Sequence, residues 1–417
     1  MIKLNTKNMI QIIKRSYDLI DERIMSHGER TAYLFFHILK SRRKYTDHDL
    51  KNLYIIGLLH DIGAYKTDDL DLLFGFEEKR AWAHAIYGYL YLKYLSPISY
   101  YSPILLYHHL NYSQFQRIDY PMKEASMLLS IADRAELILR SSGYHHEQLF
   151  HRLSTMHLYP SGVDTLKSTD ERLSVLRKAE NNSYRNEMDE IYDALDFNEK
   201  DCREFLKLLV FSIDFKNEDA VINSIMTNIL SIDVGKRMGL DEEELEVLDI
   251  ASLVYDLGML SIDKKITGKS GKLTEKEFEE VKNHVNAARQ LFQGVLSDKI
   301  LDIISCHHER LDGSGYPENK EGEQLSLSQR ILAVTDTISA LSNHKAYRPA
   351  FDDENIKRIL QEEADGNRLC GEVVRVVLSN YEDILKTDKH YVNEETEKFL
   401  AIKEQYGDIA KKFEMFE

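Results

Sequence analysis

The chain has 417 residues, of which 43% are hydrophobic, so it is long enough for two or three globular domains with proper cores. Its 54 basic and 70 acidic residues give a formal charge of −16, which argues against a partner such as a nucleic-acid polymer. Three widely spaced cysteines argue against a disulfide framework, and no apolar run approaches the roughly 20 residues that span a bilayer. Because the N-terminus carries no signal-peptide core, we expect a soluble, cytoplasmic protein without a membrane partner.

Few prolines and an apolar period close to that of a helix predict an all-α chain. In the first half, helices are predicted over residues 7–25, 28–42, 47–62, 78–95, 103–110 and 123–140. Residues 166–201 are charged and poor in large apolar side chains, which we interpret as a solvated helix or connector. We therefore predict two tandem helical domains, 1–197 and 198–417, the second of which ends in a charged, helical and peripheral tail.

One short stretch of the first half joins an apolar helix to two polar groups. Residues 53–59 are all apolar or small, and His60, Asp61 and Gly63 follow within a few positions. A helix of this kind is buried on all sides, and burying an imidazole beside a carboxylate is costly unless a partner satisfies them. A metal ion is one such partner. The alternative is a hydrogen-bonded core histidine beside an aspartate that ends the helix.

The two halves repeat the same residue types in the same order, which indicates an internal repeat. The corresponding segments are Leu59-His60-Asp61-Ile62-Gly63 with Val254-Tyr255-Asp256-Leu257-Gly258, Tyr107-His108-His109 with Cys306-His307-His308, and Ala132-Asp133-Arg134 with Thr335-Asp336-Thr337. A single histidine also matches in order, His84 in the first half and His284 in the second. Two copies of one helical module explain this arrangement.

Seven side chains of the first copy are candidate metal ligands. They are His27, His60, Asp61, His84, His108, His109 and Asp133. Five imidazoles and two carboxylates suit a pair of transition-metal ions, such as iron, manganese or zinc, better than magnesium or calcium. Two such ions need a shared anion, for which Asp61 is the best candidate, and a bridging hydroxide would be the nucleophile. For any one of these histidines, the alternative is an ordinary core or surface residue.

A second group of histidines, His145, His146 and His151, lies close to the candidate ligands in the chain. Its neighbours are Ser, Gly, Glu and Gln residues. We interpret this segment as an exposed loop without a catalytic role.

The second half contains an uninterrupted motif, HHERLDGSGYP, at residues 307–317. With the later segments 330–336 and 346–349, this motif resembles the HD-GYP branch of the HD phosphohydrolase superfamily, and the resemblance covers nearly the whole chain. It implies a helical fold, two or three metal ions that are often iron or manganese, and hydrolysis of cyclic dinucleotides, chiefly cyclic di-GMP. It also implies two ligand sets: His27, His60, Asp61 and Asp133 for one ion, and Asp61, His84, His108 and His109 for the other.

The second half departs from the family at its first metal position. Asn223 and Tyr255 stand where the family has histidines, and Met259 stands where it usually has a lysine. An amide and a phenol are poor ligands for these metals, so we expect that position to be lost. The surviving residues predict a residual one-ion site: Asp256, His284, His307 and His308.

We interpret the second domain as a pseudoenzyme that regulates the first domain or forms a homodimer. Its GYP loop consists of Gly315, Tyr316 and Pro317, and we expect this loop to be the contact for a signalling-protein partner.

The first half shows the opposite pattern, because it keeps every ligand but lacks the GYP loop. Ala64 stands at the usual lysine position, so Lys66 is the candidate catalytic cation for the phosphate, with a plain surface lysine as the alternative. Arg23 stands where trimetallic members carry a glutamate, so we expect two ions.

Three functional hypotheses remain open. The complete ligand set favours a metal-dependent phosphodiesterase that opens a cyclic dinucleotide, with cyclic di-GMP as the first candidate and His60 and Asp61 at the catalytic centre. The missing lysine and GYP loop of the first half favour a non-hydrolytic nucleotide sensor or signalling scaffold. An HD phosphohydrolase that acts on another nucleotide is the third hypothesis.

Overall fold

The computed structural model describes residues 4–64, 82–214, 218–269, 271–342 and 350–413. Within these ranges the chain is helical apart from turns and loops, with one isolated bridge between Asp312 and Glu321. The prediction of an all-α chain is therefore confirmed. No helix in the described ranges is both long and apolar enough to cross a membrane.

The chain divides into two compact units that exchange their terminal segments. The first domain comprises Asp21–Leu208 together with Asn5–Lys7 and Leu400–Glu417, and the second is formed mainly by Asn8–Ile20 and Leu209–Phe399. The chain thus passes from the first domain to the second after Leu208, whereas the boundary near residue 198 stays a prediction from composition.

The first helix is α1 (Thr6–Arg42), whose residues 8–20 belong to the second domain and whose residues 21–42 belong to the first. The other helices of the first domain in the described ranges are α2 (Asp47–Leu58), α3 (Trp82–Leu95), α4 (Pro103–Tyr107), α5 (Tyr112–Phe115), α6 (Lys123–Ser142), α7 (His146–Thr155), α8 (Pro160–Leu173), α9 (Val175–Glu180) and α10 (Arg185–Leu195). Helix α11 (Glu199–Asp214) contains the point at which the chain enters the second domain.

The long helix α1 is interrupted at Asp21, whose backbone angles (φ −165°, ψ 113°) are extended. The Asp21 carboxylate accepts a hydrogen bond of 2.9 Å from the backbone N–H of Arg23, as the N-cap of a new helical segment does. The sequence-based break between residues 25 and 28 is therefore wrong, and His27 lies inside the second helical segment of α1.

The charged segment 166–201 is not a solvated connector. It forms the end of α8, all of α9 and α10 and the start of α11. Leu166, Leu176 and Tyr184 are fully buried there. A few apolar residues are enough to anchor this segment, because they recur on one face of each short helix and pack into the first domain there.

A close approach of two chain segments supports the internal repeat. In the first domain, a Cβ atom on Gly63 would lie 2.1 Å from the carbonyl oxygen of His84. In the second domain, a Cβ atom on Gly258 would lie 1.9 Å from the carbonyl oxygen of His284. Both positions require glycine, because the turn after the apolar helix packs directly against the helix that carries the next histidine.

The second domain repeats the helical order after the close of α11. Its helices are α12 (Glu218–Arg237), α13 (Glu242–Val254), α14 (Lys264–Thr267), α15 (Glu275–Lys282), α16 (His284–Phe292), α17 (Asp298–Ile304), α18 (Leu327–Ser342), α19 (Asp353–Asp365) and α20 (Gly371–Ser379). Helix α21 (Tyr381–Phe413) then ends in the first domain.

The end of α21 packs on α3, so the prediction of a peripheral tail is wrong although the tail is helical. The Tyr406 ring stacks on Tyr87 with centroids 4.3 Å apart, and the Phe413 ring lies 4.9 Å from that of Trp82. Lys93 donates a hydrogen bond of 2.9 Å to the side chain of Gln405. These contacts brace α3, which carries His84.

We predict that Phe413→Ala destabilises the first domain by about 3 kcal/mol, because it removes a ring that is only 4% exposed. Hydrogen–deuterium exchange should accelerate in peptides from α3. Leu400→Ala is the control, because Leu400 lies on the same helix and is 44% exposed. Equal exchange in α3 for both variants would contradict a bracing role for the tail.

Candidate metal centre

The seven candidate ligands of the first domain converge from separate segments of the chain. His27 lies in α1, His60 and Asp61 follow the end of α2, His84 lies in α3, His108 and His109 follow α4, and Asp133 lies in α6. Of the seven, His109 alone is not fully buried. The structure therefore brings all seven predicted residues together, whereas their role as metal ligands stays a prediction.

One group contains His27, His60 and Asp133. The Nε2 atom of His27 lies 3.1 Å from Nε2 of His60 and 3.2 Å from Oδ1 of Asp133. The Nε2 atom of His60 lies 3.8 Å from the same Oδ1 atom. These three ligand atoms surround one point, as the ligands of a single ion do.

The other group contains His84, His108, His109 and Asp61, whose ligand atoms all lie within 4.8 Å of one another. The Nε2 atoms of His84 and His109 are 2.8 Å apart. The Oδ1 atom of Asp61 lies 3.3 Å from Nε2 of His84.

Asp61 also faces the first group through its second oxygen. Its Oδ2 atom lies 3.4 Å from Nε2 of His60 and 3.6 Å from Nε2 of His27. The two oxygens of one carboxylate are thus divided between the two groups. This is the arrangement that a bridging ligand of a two-ion site requires.

The residues fit a pair of transition-metal ions. Ligand atoms about 2.1 Å from a shared ion lie about 3.0–3.4 Å from one another, close to the distances measured here. Two buried atoms, Nε2 of His108 and Oδ2 of Asp133, have no hydrogen-bond partner in the described part of the chain. Buried polar atoms are normally satisfied, so an ion would supply the missing partner.

Backbone carbonyls hold two of the rings in the form that binds metals. His60 donates from Nδ1 to the carbonyl of Gly57 (2.8 Å), and His108 donates from Nδ1 to that of Leu105 (2.6 Å). Each bond places the proton of a neutral ring on Nδ1 and leaves the lone pair of Nε2 directed into the site.

Glu136 is a functional residue that the sequence analysis missed. It is fully buried, its Oε2 atom accepts a short hydrogen bond from Nδ1 of His27, and its Oε1 atom lies 2.6 Å from the guanidinium of Arg30. A signal was present, because Glu136 lies three residues after Asp133 and therefore shares its face of α6. Its carboxylate orients the His27 ring and raises the basicity of Nε2.

Burial and nearby charges shift the pKa values in opposite directions within the site. Burial lowers the pKa of His108 to about 3, so this ring is neutral at pH 7. Burial also works to lower the pKa of His27, but the carboxylates of Glu136 and Asp133 outweigh it and raise that pKa to about 10. The pKa of Asp133 lies well below its usual value because its contacts with histidines outweigh burial. A cation at this position would displace the proton of His27.

Lys66, the candidate phosphate-binding residue, lies outside the described residues, so its role stays a prediction.

The segment with His145, His146 and His151 is not a loop, since α7 begins at His146 and includes His151. Its polar composition suits the solvated face of a helix equally well, which is why the prediction of a loop was wrong.

In the second domain a hydrogen-bond network occupies the first metal position. The Tyr255 hydroxyl donates to Oδ1 of Asp336 (2.8 Å) and accepts from the Asn223 amide (3.2 Å). Burial and the Asp336 carboxylate hold the pKa of Tyr255 well above its usual value, so the phenol stays protonated. The protonated phenol thus gives one carboxylate oxygen a hydrogen-bond donor that is not a cation.

Three of the four predicted residual ligands of the second domain form a close group: His284, His307 and His308. The Nε2 atoms of His284 and His307 are 3.2 Å apart, and burial lowers the pKa of His307 to about 3. Asp256 is not part of this group, although its Oδ1 atom lies 3.5 Å from Nε2 of His284.

The GYP loop packs next to these histidines. The ring of Tyr316 lies 4.7 Å from that of His308. The loop is held by Glu309, a buried residue whose carboxylate accepts hydrogen bonds from the backbone N–H groups of Glu318 (2.7 Å) and Lys320 (2.9 Å). Binding of a signalling protein to this loop stays a prediction.

We predict that Glu136→Gln weakens binding of iron or manganese to the first domain by about 10- to 100-fold, because the carboxylate that orients His27 is lost. Metal content after dialysis against a graded series of chelator concentrations measures this effect. Glu124→Gln is the matched control, since Glu124 lies on the same helix but pairs with Arg42 and Lys44. The same metal content in both variants at every chelator concentration would rule out this role of Glu136.

Comparison with family models finds an HD domain in each half of the chain. One HD-domain model matches residues 24–138 and a second matches residues 213–373. The matched regions contain the two histidine groups described above.

Similar proteins of known name are phosphodiesterases of cyclic dinucleotides. The 3′3′-cGAMP-specific phosphodiesterase 1 of Vibrio cholerae is 25% identical over 397 residues, covering 90% of this chain and 92% of that protein. The cyclic di-GMP phosphodiesterase response regulator RpfG of Xanthomonas campestris is 29% identical over 192 residues, which are 41% of this chain and 50% of that protein.

A solved structure shares the fold. The crystal structure of the cyclic GMP-AMP specific phosphodiesterase V-cGAP3 of V. cholerae aligns with a TM-score of 0.53 and 16% identity, covering 90% of this chain and 97% of that chain. The two family models thus identify one HD domain in each half of the chain.

Proposed function

We propose that this chain is a metal-dependent phosphodiesterase that hydrolyses a cyclic dinucleotide in its first domain. The observation that carries this proposal is the division of the Asp61 oxygens between two groups of histidines, at 3.3 Å from His84 and 3.4 Å from His60. A protein that only binds a nucleotide has no need of a bridged two-ion site. The names of the relatives support a cyclic dinucleotide as the substrate.

In this proposal two ligand sets share Asp61. One ion is held by His27, His60, Asp61 and Asp133, and the other by Asp61, His84, His108 and His109. When bound, two transition-metal ions activate water and neutralise the charge on a phosphodiester. Iron and manganese suit this ligand set best, and zinc suits it as well.

The side chains around the ions keep the ligands in place. Glu136 holds the His27 ring through Nδ1, and the carbonyls of Gly57 and Leu105 hold His60 and His108 in the same way. Because these partners are already in position, little reorganisation is needed when the substrate binds.

We further propose that the second domain does not hydrolyse nucleotides. Tyr255 stands where the first domain has His60, a phenol is a poor ligand for these ions, and its hydroxyl already donates to the carboxylate of Asp336. The three remaining histidines could hold one ion, but one ion cannot clamp both oxygens of an in-line displacement. Regulation of the first domain, through the GYP loop or a homodimer, is the role we propose for this domain.

Two observations bear on the substrate within this class, and they favour different cyclic dinucleotides. The GYP motif favours cyclic di-GMP, whereas the relative that matches over most of both chains is named for 3′3′-cGAMP. We propose cyclic di-GMP as the principal substrate, with 3′3′-cGAMP as the alternative to be measured beside it.

We predict that protein purified anaerobically and loaded with iron or manganese converts a cyclic dinucleotide to its linear form. Asp61→Ala should lower the rate by roughly a thousandfold or more, because the bridging carboxylate is lost. Asp256→Ala, the corresponding change in the second domain, should keep most of the activity. Chromatography of the products measures the rate of hydrolysis by the wild type and by each variant.

The absence of product from protein with two bound ions would contradict the hydrolase proposal. Tight binding of a cyclic dinucleotide under those conditions would then support the non-hydrolytic sensor. Loss of activity in Asp256→Ala alone would place the reaction in the second domain instead.

A further inference from the structure

Arg134 is a half-buried cation beside the metal centre that the proposed mechanism does not yet use. It follows Asp133 in α6, and its Nη2 atom lies 3.5 Å from Nδ1 of His109. No carboxylate of the described residues lies within salt-bridge distance of its guanidinium, whereas Arg30 on α1 is paired with Glu136. A half-buried guanidinium without an ion-pair partner favours binding of an anion.

The geometry of His109 indicates where that anion would sit. Its Nε2 atom faces Nε2 of His84 at 2.8 Å and is therefore the atom directed at the second ion. When Nε2 binds an ion, the proton of the neutral ring lies on Nδ1. In that state Nδ1 cannot accept a hydrogen bond from Arg134, so two donors face each other at 3.5 Å.

Other ligand histidines have an acceptor at this atom. Nδ1 of His60 bonds to a backbone carbonyl, as does Nδ1 of His108, and Nδ1 of His27 bonds to Glu136. In the described part of the structure, Nδ1 of His109 has no such acceptor. An oxygen placed between His109 and Arg134 would accept hydrogen bonds from both.

A cavity of about 160 Å³ opens at this position. His109 and Arg134 line it together with Asn111, Ser130 and the apolar side chains of Leu110 and Leu158. His109 is also the one ligand of the seven that is not fully buried, so the cavity adjoins the accessible side of the second ligand group.

We propose that Arg134 and the Nδ1–H group of His109 form a binding site for a phosphate oxygen of the substrate. The inference rests on the proposed function, because the substrate is the source of this phosphate. The charge supports it, since a guanidinium next to bound cations is repelled by them until an anion lies between. The site belongs to the first domain alone among the two copies, because Thr337 corresponds to Arg134 in the second.

Binding of inorganic phosphate to the metal-loaded full chain, measured by calorimetry, tests this site without requiring turnover. Arg134→Gln should bind phosphate at least about tenfold more weakly while retaining its metal ions, because a charge-assisted hydrogen bond is lost. Arg134→Lys should recover part of the affinity, since it keeps the charge but not the planar fork. Arg117→Gln is the control, because Arg117 is an exposed arginine of the same domain, and it should bind as the wild type does.

Three results would overturn the proposal. They are unchanged phosphate affinity in metal-loaded Arg134→Gln, loss of metal from that variant, and no phosphate binding by metal-loaded wild type. Loss of metal would mean that Arg134 positions His109 rather than binding an anion. A wild type that binds phosphate through Arg134 but hydrolyses no cyclic dinucleotide would refute the proposed function and leave the anion site intact.

Discussion

The first domain depends on one buried carboxylate, that of Asp61, which is 8% exposed and lies among three imidazoles. An isolated ionised carboxylate at such a depth is strongly unfavourable, so its environment has to supply positive charge. Two elements hold Asp61 in place. Residues 52–58 of α2, which end three positions before it, are buried, and the turn at Gly63 packs against α3. Two cations at this carboxylate would satisfy the orphaned atoms of His108 and Asp133 as well.

The two domains share a helical arrangement but give the corresponding aspartates, Asp133 and Asp336, different partners. Both have the glycine turn against the next helix, and both have a histidine pair after a short helix. In the second domain the phenol of Tyr255 donates a hydrogen bond to Asp336. This hydrogen bond stands where the first domain has the contact between His60 and Asp133. The phenol thus gives this half-buried carboxylate a hydrogen-bond partner that is not a metal ion, in keeping with the prediction that the first metal position of the second domain is lost.

Much of the arrangement could be predicted from sequence, and the remainder depended on long-range packing. The order of His60, Asp61, His84 and the histidine pair is a local pattern, and it correctly identified the residues that the structure brings together. Glu136 was missed because nothing in its neighbourhood in the sequence distinguishes it from the other charged residues of α6; its partner, His27, lies in the distant helix α1. The docking of the α21 end on α3 was missed for the same reason: it depends on residues distant in the chain, and the charged residues of the tail hide the buried Phe413. The break of α1 was placed a few residues too late, although its cap is local, because Asp21 stands inside a stretch with a helical apolar period.

Anomalous diffraction from crystals of the iron- or manganese-loaded full chain would test the central claim most directly. The account predicts two peaks in the first domain, roughly 3.5–4 Å apart, with the carboxylate of Asp61 between them. It predicts no peak between Tyr255 and Asp336. A single peak in the first domain, or a pair of peaks in the second, would contradict the assignment of the bridged two-ion centre to Asp61.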